Sequence, residues 1–117
     1  MSKKLLCIYD ELTGLEIRKL LLESQGYVVL IAVRGSEAID LFQRETVDAV
    51  VVDYYMPEMN GSEVARHLKT LRPDIPIILL SAFAADSSQS DFDACVMKGE
   101  HPRILLGTLD NLLHSAA

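Results

Sequence analysis

The feature that most constrains the fold of this chain is an apolar run that ends on an acid. Three valines at positions 50–52 lead directly into Asp53, and a loop rich in Pro, Asn and Gly then extends to Gly61. A run of this kind indicates a strand buried on both faces, as in a parallel sheet covered by helices. Ligands of open parallel sheets bind beyond the carboxyl ends of the strands. We therefore expect the functional site around Asp53.

Strand and helix patterns alternate along the rest of the chain. Short apolar segments predict strands, and amphipathic segments between them predict helices. The alternation predicts an α/β fold, a doubly wound five-stranded parallel sheet with helices on both faces. The predicted strands are Leu5–Ile8, Tyr27–Val33, Val47–Val52, Ile75–Leu80 and Ala94–Met97, and the predicted helices are Leu12–Ser24, Ser36–Arg44, Ser62–Leu71 and one that begins at Pro102.

The spacing of apolar residues also predicts which side of each helix faces the core. One segment, Phe83–Asp93, breaks the alternation because it is short and rich in poor helix formers. We expect a degraded fourth helix there, either one distorted turn or an ordered loop. The predicted inward-facing residues are Ile17, Leu20, Leu21 and Ser24 in the first helix, Ala38, Leu41 and Phe42 in the second, Val64, Leu68 and Leu71 in the third, and Leu105, Leu109, Leu112 and Leu113 in the last.

The size and charge of the chain limit its class of function. With 117 residues, half of them hydrophobic, we expect one compact domain over residues 1–117. The net charge of −6 argues against nucleic-acid and anionic-membrane partners, which favour a basic face. The chain shows neither a membrane-span pattern nor a signal peptide, so we expect it in the cytoplasm. Cys7 and Cys95 fall on the first and last predicted strands, and we expect both to be small buried residues in a reducing compartment.

Polar side chains follow four of the predicted strands at their carboxyl ends. These are Asp10 with Glu11, then Asp53, Ser81 and Lys98. Two carboxylates about 4 Å apart repel by about 4 kcal/mol at an effective dielectric of about 20, so the acids call for a cation. Oxygen ligands suit Mg²⁺, while a lysine and a hydroxyl suit phosphoryl oxygens.

In this combination the chain resembles the CheY-like receiver domain of two-component response regulators, over essentially its whole length. The resemblance rests on the acids after the first strand, on Asp53 followed by Met56-Pro57 and Gly61, on Ser81-Ala82 and on Lys98. It implies a flavodoxin-like sheet with the strand order 2-1-3-4-5.

The resemblance also implies a function. Asp53 would accept a phosphoryl group from a sensor histidine kinase or a histidine phosphotransfer protein in a Mg²⁺-dependent phosphorelay. The signal would pass by contact with a downstream protein, and the domain would not be an enzyme acting on a separate substrate. The implied metal ligands are Asp10, Asp53 and the backbone carbonyl of Tyr55, with Glu11 through water; the implied phosphoryl-binding and switch residues are Ser81, Ala82 and Lys98.

The chain departs from the family pattern at three places. Receivers usually carry two adjacent acids after the first strand, and Tyr9 takes the first of these positions, so we expect weak Mg²⁺ binding. In the alternative alignment, shifted by one residue, Asp10 and Glu11 are the acid pair. The switch position three residues before Lys98 lacks its usual aromatic and holds Cys95, and a glycine rather than a proline follows Lys98.

These departures keep a second function open. The alternative is a pseudo-receiver, a binding module that keeps the fold but works without phosphorylation. An enzyme on a similar sheet fits less well. A phosphatase with an aspartyl nucleophile usually needs a second acid where this chain has Tyr55, and an electron carrier of the flavodoxin type needs a phosphate-binding loop where this chain has acids.

Overall fold

One parallel sheet organises the fold. The computed structural model describes residues 2–82 and 91–114. Its five strands are arranged in the order β2-β1-β3-β4-β5, which confirms the predicted doubly wound topology. The strands are β1 (Lys4–Ile8), β2 (Val28–Ala32), β3 (Ala49–Asp53), β4 (Ile77–Ser81) and β5 (Ala94–Met97), and the helices are α1 (Leu12–Glu23), α2 (Gly35–Arg44), α3 (Gly61–Leu71) and α4 (Pro102–His114).

The central strand β3 separates two hydrophobic cores. Val50 and Val52 face a core completed by α2 and α3. Ala49 and Val51 face the opposite core, which α1 and α4 complete. All five residues of β3 are buried, because successive side chains of a strand point to opposite faces and both faces are covered.

The register of the sheet brings the strand ends to one edge. Asp53 lies opposite Leu80 of β4, and Ser81 lies opposite Met97 of β5. Lys98, which follows β5, donates its backbone N–H to the carbonyl oxygen of Ser81 at 2.8 Å. The carboxyl ends of β3, β4 and β5 therefore meet, as the alternation of strands and helices predicted.

The predicted inward face of α1 is wrong. Leu15 and Leu22 are fully buried, whereas Ile17 and Leu20 are 63% and 68% exposed. Ser24 is also exposed and serves as the C-terminal cap of the helix. Apolar residues occur on several sides of this helix, so periodicity alone did not fix its rotation.

The other helices follow their predicted faces with one exception. Leu71, the last residue of α3, is 45% exposed, and Ala65 is buried in the same helix instead. A final helical residue has no following turn to cover it, so its position on the stripe does not ensure burial. Buried residues as predicted are Ala38, Phe42, Val64, Leu68, Leu105 and Leu109, while Leu21, Leu41, Leu112 and Leu113 are partly buried.

Two of the remaining predictions concern the connection before β5 and the cysteines. Most of the segment predicted as a degraded fourth helix, residues 83–90, lies outside the described residues. Cys7 lies on β1 and Cys95 on β5, with β3 and β4 between them, and no disulfide joins them. Within the described ranges, no helix combines the length and the apolar character needed to cross a membrane.

Candidate functional site

The site is built around the Asp53 carboxylate at the end of β3. Asp53 is completely buried, although its strand ends at the edge where ligands bind in this fold. Nη1 of Arg18 donates a hydrogen bond of 2.8 Å to Oδ1 of Asp53. Nζ of Lys98 lies 2.6 Å from Oδ2. One buried carboxylate is therefore held between two cations that come from α1 and from the end of β5.

The two oxygens of Asp53 differ in their bonding. Oδ1 accepts the hydrogen bond from Arg18, whereas Oδ2 has no hydrogen-bond partner among the described residues. Oδ2 forms an ion pair with Lys98, whose Nζ lies 2.6 Å away. Each oxygen of this buried carboxylate therefore faces a cation, as a buried charge requires.

Sequence reasoning missed Arg18. A signal was present, because Arg18 falls three residues after Leu15 and four before Leu22, on the stripe of α1 that is actually buried. Its side chain is only 14% exposed. An arginine on a buried stripe needs an acidic partner, because an unpaired buried charge is strongly destabilising. Because the wrong face of α1 was predicted to point inward, Arg18 was not expected to be buried.

Tyr9 lies beside both cations. The centroid of its ring is 4.5 Å from Nζ of Lys98 and 5.2 Å from Cζ of Arg18. Gly14 leaves room for the ring, since a Cβ atom on Gly14 would lie 3.0 Å from Cε2 of Tyr9. Tyr9 thus provides a π face to both cations that flank Asp53.

Asp10 and the loop after β3 form an open cleft at the same edge. The cleft has a volume of about 570 Å³, and Tyr55 in its wall is 57% exposed. Asp10 is exposed and lines the cleft together with Tyr55. The remaining residues of the wall are Tyr54, Met56, Pro57 and Asn60.

Glu11 has a local structural role. Its two carboxylate oxygens accept hydrogen bonds from the backbone N–H groups of Thr13 (2.8 Å) and Gly14 (3.0 Å). The side chain thereby caps the N-terminus of α1, a position that favours an acid. In the alternative alignment Glu11 would be half of the acid pair, and this cap occupies the oxygens that the alternative requires.

The donors at this edge fit Mg²⁺. Mg²⁺ commonly takes one or two carboxylates together with a carbonyl, waters and a phosphate oxygen. Asp10 and Tyr55 share a cleft, and Asp53 supplies a carboxylate at the end of β3. A site of this type does not need the larger cluster of three His, Cys, Asp or Glu side chains, which the described residues do not contain. The fit is incomplete because Arg18 and Lys98 already face the two oxygens of Asp53.

Ser81, Ala82 and Cys95 complete the positions identified in the sequence. Ser81 is buried at the end of β4, and the adjoining Ala82 is exposed. Cys95 is partly buried on β5, opposite Leu79, three residues before Lys98. The structure therefore brings Ser81 and Lys98 to the edge that holds Asp53 and leaves Cys95 back in the strand.

The buried Cys7 thiol reports on the electrostatics beneath the site. Burial raises its pKa from 9.0 to about 12, the positive charge of Arg18 opposes this rise, and the negative charge of Asp53 adds to it. Cys7 is consequently a protonated, apolar residue at ordinary pH and takes no part in the chemistry of the site.

The family model and the curated relatives that this chain matches are all response regulators. The family model described as response regulator receiver domain matches residues 5–106. The response regulator MprA of Mycolicibacterium vanbaalenii is 38% identical over 82 residues, covering 70% of this chain and 36% of that protein. The response regulator SaeR of Staphylococcus aureus is 33% identical, covering 93% of this chain and 50% of that protein. The chain thus spans half or less of the length of these curated relatives.

Solved structures agree with the sequence relatives. The response regulator TrrA of Thermotoga maritima, in complex with Mg²⁺–BeF, is 32% identical with a TM-score of 0.89, and the match covers 95% of this chain and 99% of that one. A CheY-like receiver domain protein of Methanospirillum hungatei is 29% identical with a TM-score of 0.92, and the match covers 98% and 96%. Both likenesses extend over the sheet and the edge that carries Asp53.

Proposed function

Because the chain belongs to the response regulator receiver domain family, we propose that it accepts a phosphoryl group on Asp53 and signals by protein contact. The observation that carries this proposal is the buried Asp53 carboxylate, held between Arg18 and Lys98 at the edge where Asp10 lines an open cleft. The receiver family is a class of signalling domain rather than of enzymes that turn over a separate substrate. The proposed donor is a histidine kinase or a histidine phosphotransfer protein of a two-component system.

The residues at the sheet edge suit phosphoryl transfer. An oxygen of Asp53 attacks the phosphorus of the phosphohistidine, a P–O bond forms, and the P–N bond breaks. The chain's part is to position the carboxylate and to stabilise the charge on the phosphoryl oxygens. Lys98 is 2.6 Å from Asp53 and has three N–H donors that can follow this charge onto the phosphoryl group. Ser81 and the backbone of Ala82 supply further donors at the end of β4.

The proposed metal is Mg²⁺, held by Asp10, Asp53 and the carbonyl oxygen of Tyr55. When bound, it would neutralise charge on the phosphoryl oxygens, as metal ions do in phosphoryl transfer generally. Receiver domains bind Mg²⁺ at the phosphorylation site, and the similar TrrA structure contains Mg²⁺–BeF. The reduced state expected of Cys7 and Cys95 fits a cytoplasmic domain that meets a kinase there.

The experiment is incubation with acetyl phosphate and Mg²⁺, followed by intact mass measurement. We expect a phosphate-sized mass gain that requires Mg²⁺ and is absent from Asp53→Asn. The matched control is Asp40→Asn, because Asp40 is an acid of α2 with a side chain that is 63% exposed. This variant should gain the same mass as the unaltered chain.

A second function is favoured by one observation. Arg18 pairs with the buried carboxylate of Asp53, and a pseudo-receiver could use this pair as a permanent structural contact. Absence of a mass gain from acetyl phosphate at millimolar Mg²⁺ and from a phosphorylated histidine kinase would support that function and reject phosphorylation. A gain from the kinase alone would retain the receiver function and show that the small donor is a poor substrate.

A further inference from the structure

We propose that the Arg18 guanidinium is a built-in cation that competes with Mg²⁺ for the Asp53 carboxylate. The inference deepens the proposed function, since it concerns how the same phosphoacceptor site is regulated by metal. Arg18 is a positioning residue for Asp53 in the absence of metal, and Mg²⁺ has to displace it from Oδ1.

Both oxygens of the Asp53 carboxylate are in contact with a cation. Arg18 donates to Oδ1 at 2.8 Å, and Lys98 lies 2.6 Å from Oδ2. Each oxygen therefore already faces a positive charge. A divalent cation that binds either oxygen meets one of these charges, and like charges at such distances repel strongly in a buried site.

The side chain of Arg18 is mostly buried, which favours its ion pair with Asp53. The arginine side chain is 14% exposed and projects from a helix face on which Leu15 and Leu22 are fully buried. The buried oxygen of Asp53 is its ion-pair partner, and breaking a buried pair exposes the full cost of the unpaired charge.

Tyr9 explains why Arg18 and Asp53 form a pair here. Its ring lies next to both Arg18 and Lys98 and contributes a π face without a carboxylate. An acid at this position would offer the guanidinium a second partner and would add a ligand for the metal. Tyr9, Gly14 and Arg18 thus form one arrangement, because Gly14 provides the space that the ring occupies.

The chemistry predicts the sign of the effect on metal affinity. Removing the Arg18 charge frees Oδ1 of Asp53 for Mg²⁺ and removes a repulsion at the same time. A hydrogen bond to a charged group is worth enough that its loss should tighten Mg²⁺ binding by about tenfold or more. An exposed arginine elsewhere on the chain should have no such effect.

The test is a calorimetric titration of Mg²⁺ into the full chain and three variants. Arg18→Met removes the charge and keeps a long side chain that favours a helix. Arg18→Gln removes the charge and keeps a hydrogen-bond donor, in case the first variant does not fold. Arg66→Met is the matched control, since Arg66 is an exposed arginine of α3.

We expect both Arg18 variants to bind Mg²⁺ about tenfold more tightly than the unaltered chain. Arg66→Met should bind with unchanged affinity. Folding of each variant is checked by circular dichroism. Equal Mg²⁺ affinity of the unaltered chain and a folded Arg18 variant, or no binding by either, would overturn the inference.

Phosphorylation is measured separately at saturating Mg²⁺, so that the two proposals can fail independently. Tighter Mg²⁺ binding by the Arg18 variants without any mass gain from acetyl phosphate or a phosphorylated kinase would support the competition and reject the phosphoacceptor function. A mass gain in the unaltered chain with identical Mg²⁺ affinity in all variants would reject the competition alone.

Discussion

Replacing Gly61 with alanine tests how closely the start of α3 approaches the end of β3, which carries Asp53. Gly61 donates its N–H to the carbonyl oxygen of Tyr54 at 2.7 Å. A Cβ atom at position 61 would lie 2.6 Å from the carbonyl oxygen of Asp53 and 3.0 Å from Cα of Tyr54. Both obstacles are backbone atoms, which cannot move aside as the end of a flexible side chain can. The substitution therefore has to shift either the helix or the end of β3.

The expected magnitude follows from two opposing effects. Overpacking of a well-packed site costs about 1–3 kcal/mol. Alanine gains up to about 1 kcal/mol over glycine from its helix propensity, although less in the first turn than in a helix interior. With a gain of about 0.5 kcal/mol in the first turn, the net result for Gly61→Ala is a loss of about 0.5–2.5 kcal/mol in the free energy of unfolding.

Gly107→Ala is the matched control. Gly107 lies within α4, is exposed, and has no atom within 4 Å of the position that a Cβ would take. Helix propensity should act there without steric cost and stabilise the chain by about 0.5–1 kcal/mol. The same substitution is thus expected to act with opposite signs at positions 61 and 107.

Urea denaturation followed by circular dichroism measures both changes, because the chain contains no tryptophan. Gly61→Ala should also slow labelling by acetyl phosphate, since any shift at the end of β3 moves Asp53. If Gly61→Ala and Gly107→Ala changed the free energy of unfolding by the same amount in the same direction, the prediction of a steric cost at position 61 would be wrong. If Gly61→Ala lost stability at an unchanged labelling rate, the shift would be confined to α3.

Two further predictions concern α1 and the thiols. Leu15→Ala should lower the free energy of unfolding by about 2–5 kcal/mol, because Leu15 is buried. Leu20→Ala should change the free energy of unfolding by less than about 0.5 kcal/mol, because Leu20 is exposed. Equal losses for the two variants in urea denaturation would contradict this orientation of α1. In the Cys95→Ser variant, Cys7 is the remaining thiol. A thiol reagent at pH 8 should modify this thiol in the unfolded chain but not in the folded chain. The raised pKa of Cys7 means that its contribution to stability is complete below pH 9.0 and is lost as the pH rises toward about 12; rapid native labelling of the Cys95→Ser variant would contradict this picture.

The sheet was predictable from local patterns because it depends on them directly. The valine run before Asp53 is buried on both faces, and a fully apolar segment has few other places to go in a small domain. The position of Asp53 followed from the same run, although β3 includes Asp53 and does not stop at Val52 as predicted. The order of the strands came from the resemblance to a family, because periodicity does not specify which strands are neighbours.

The rotation of α1 and the role of Arg18 were not predictable in this way. The role of Arg18 depends on a contact between residues 35 positions apart in the chain, which no helical window contains. Ile17 and Leu20 are as apolar as the leucines that are buried, so the choice of face is made by tertiary packing. The role of a buried arginine can be assigned only when the acid that it contacts is known.

The carboxylate of Asp53 has a consequence for how this chain can change during evolution. It joins α1, β3 and the end of β5 through one side chain, with Arg18 on one oxygen and Lys98 on the other. Substitutions at residues that share a partner are not additive. We therefore expect a substitution at position 18, 53 or 98 to alter which residues the other two positions tolerate.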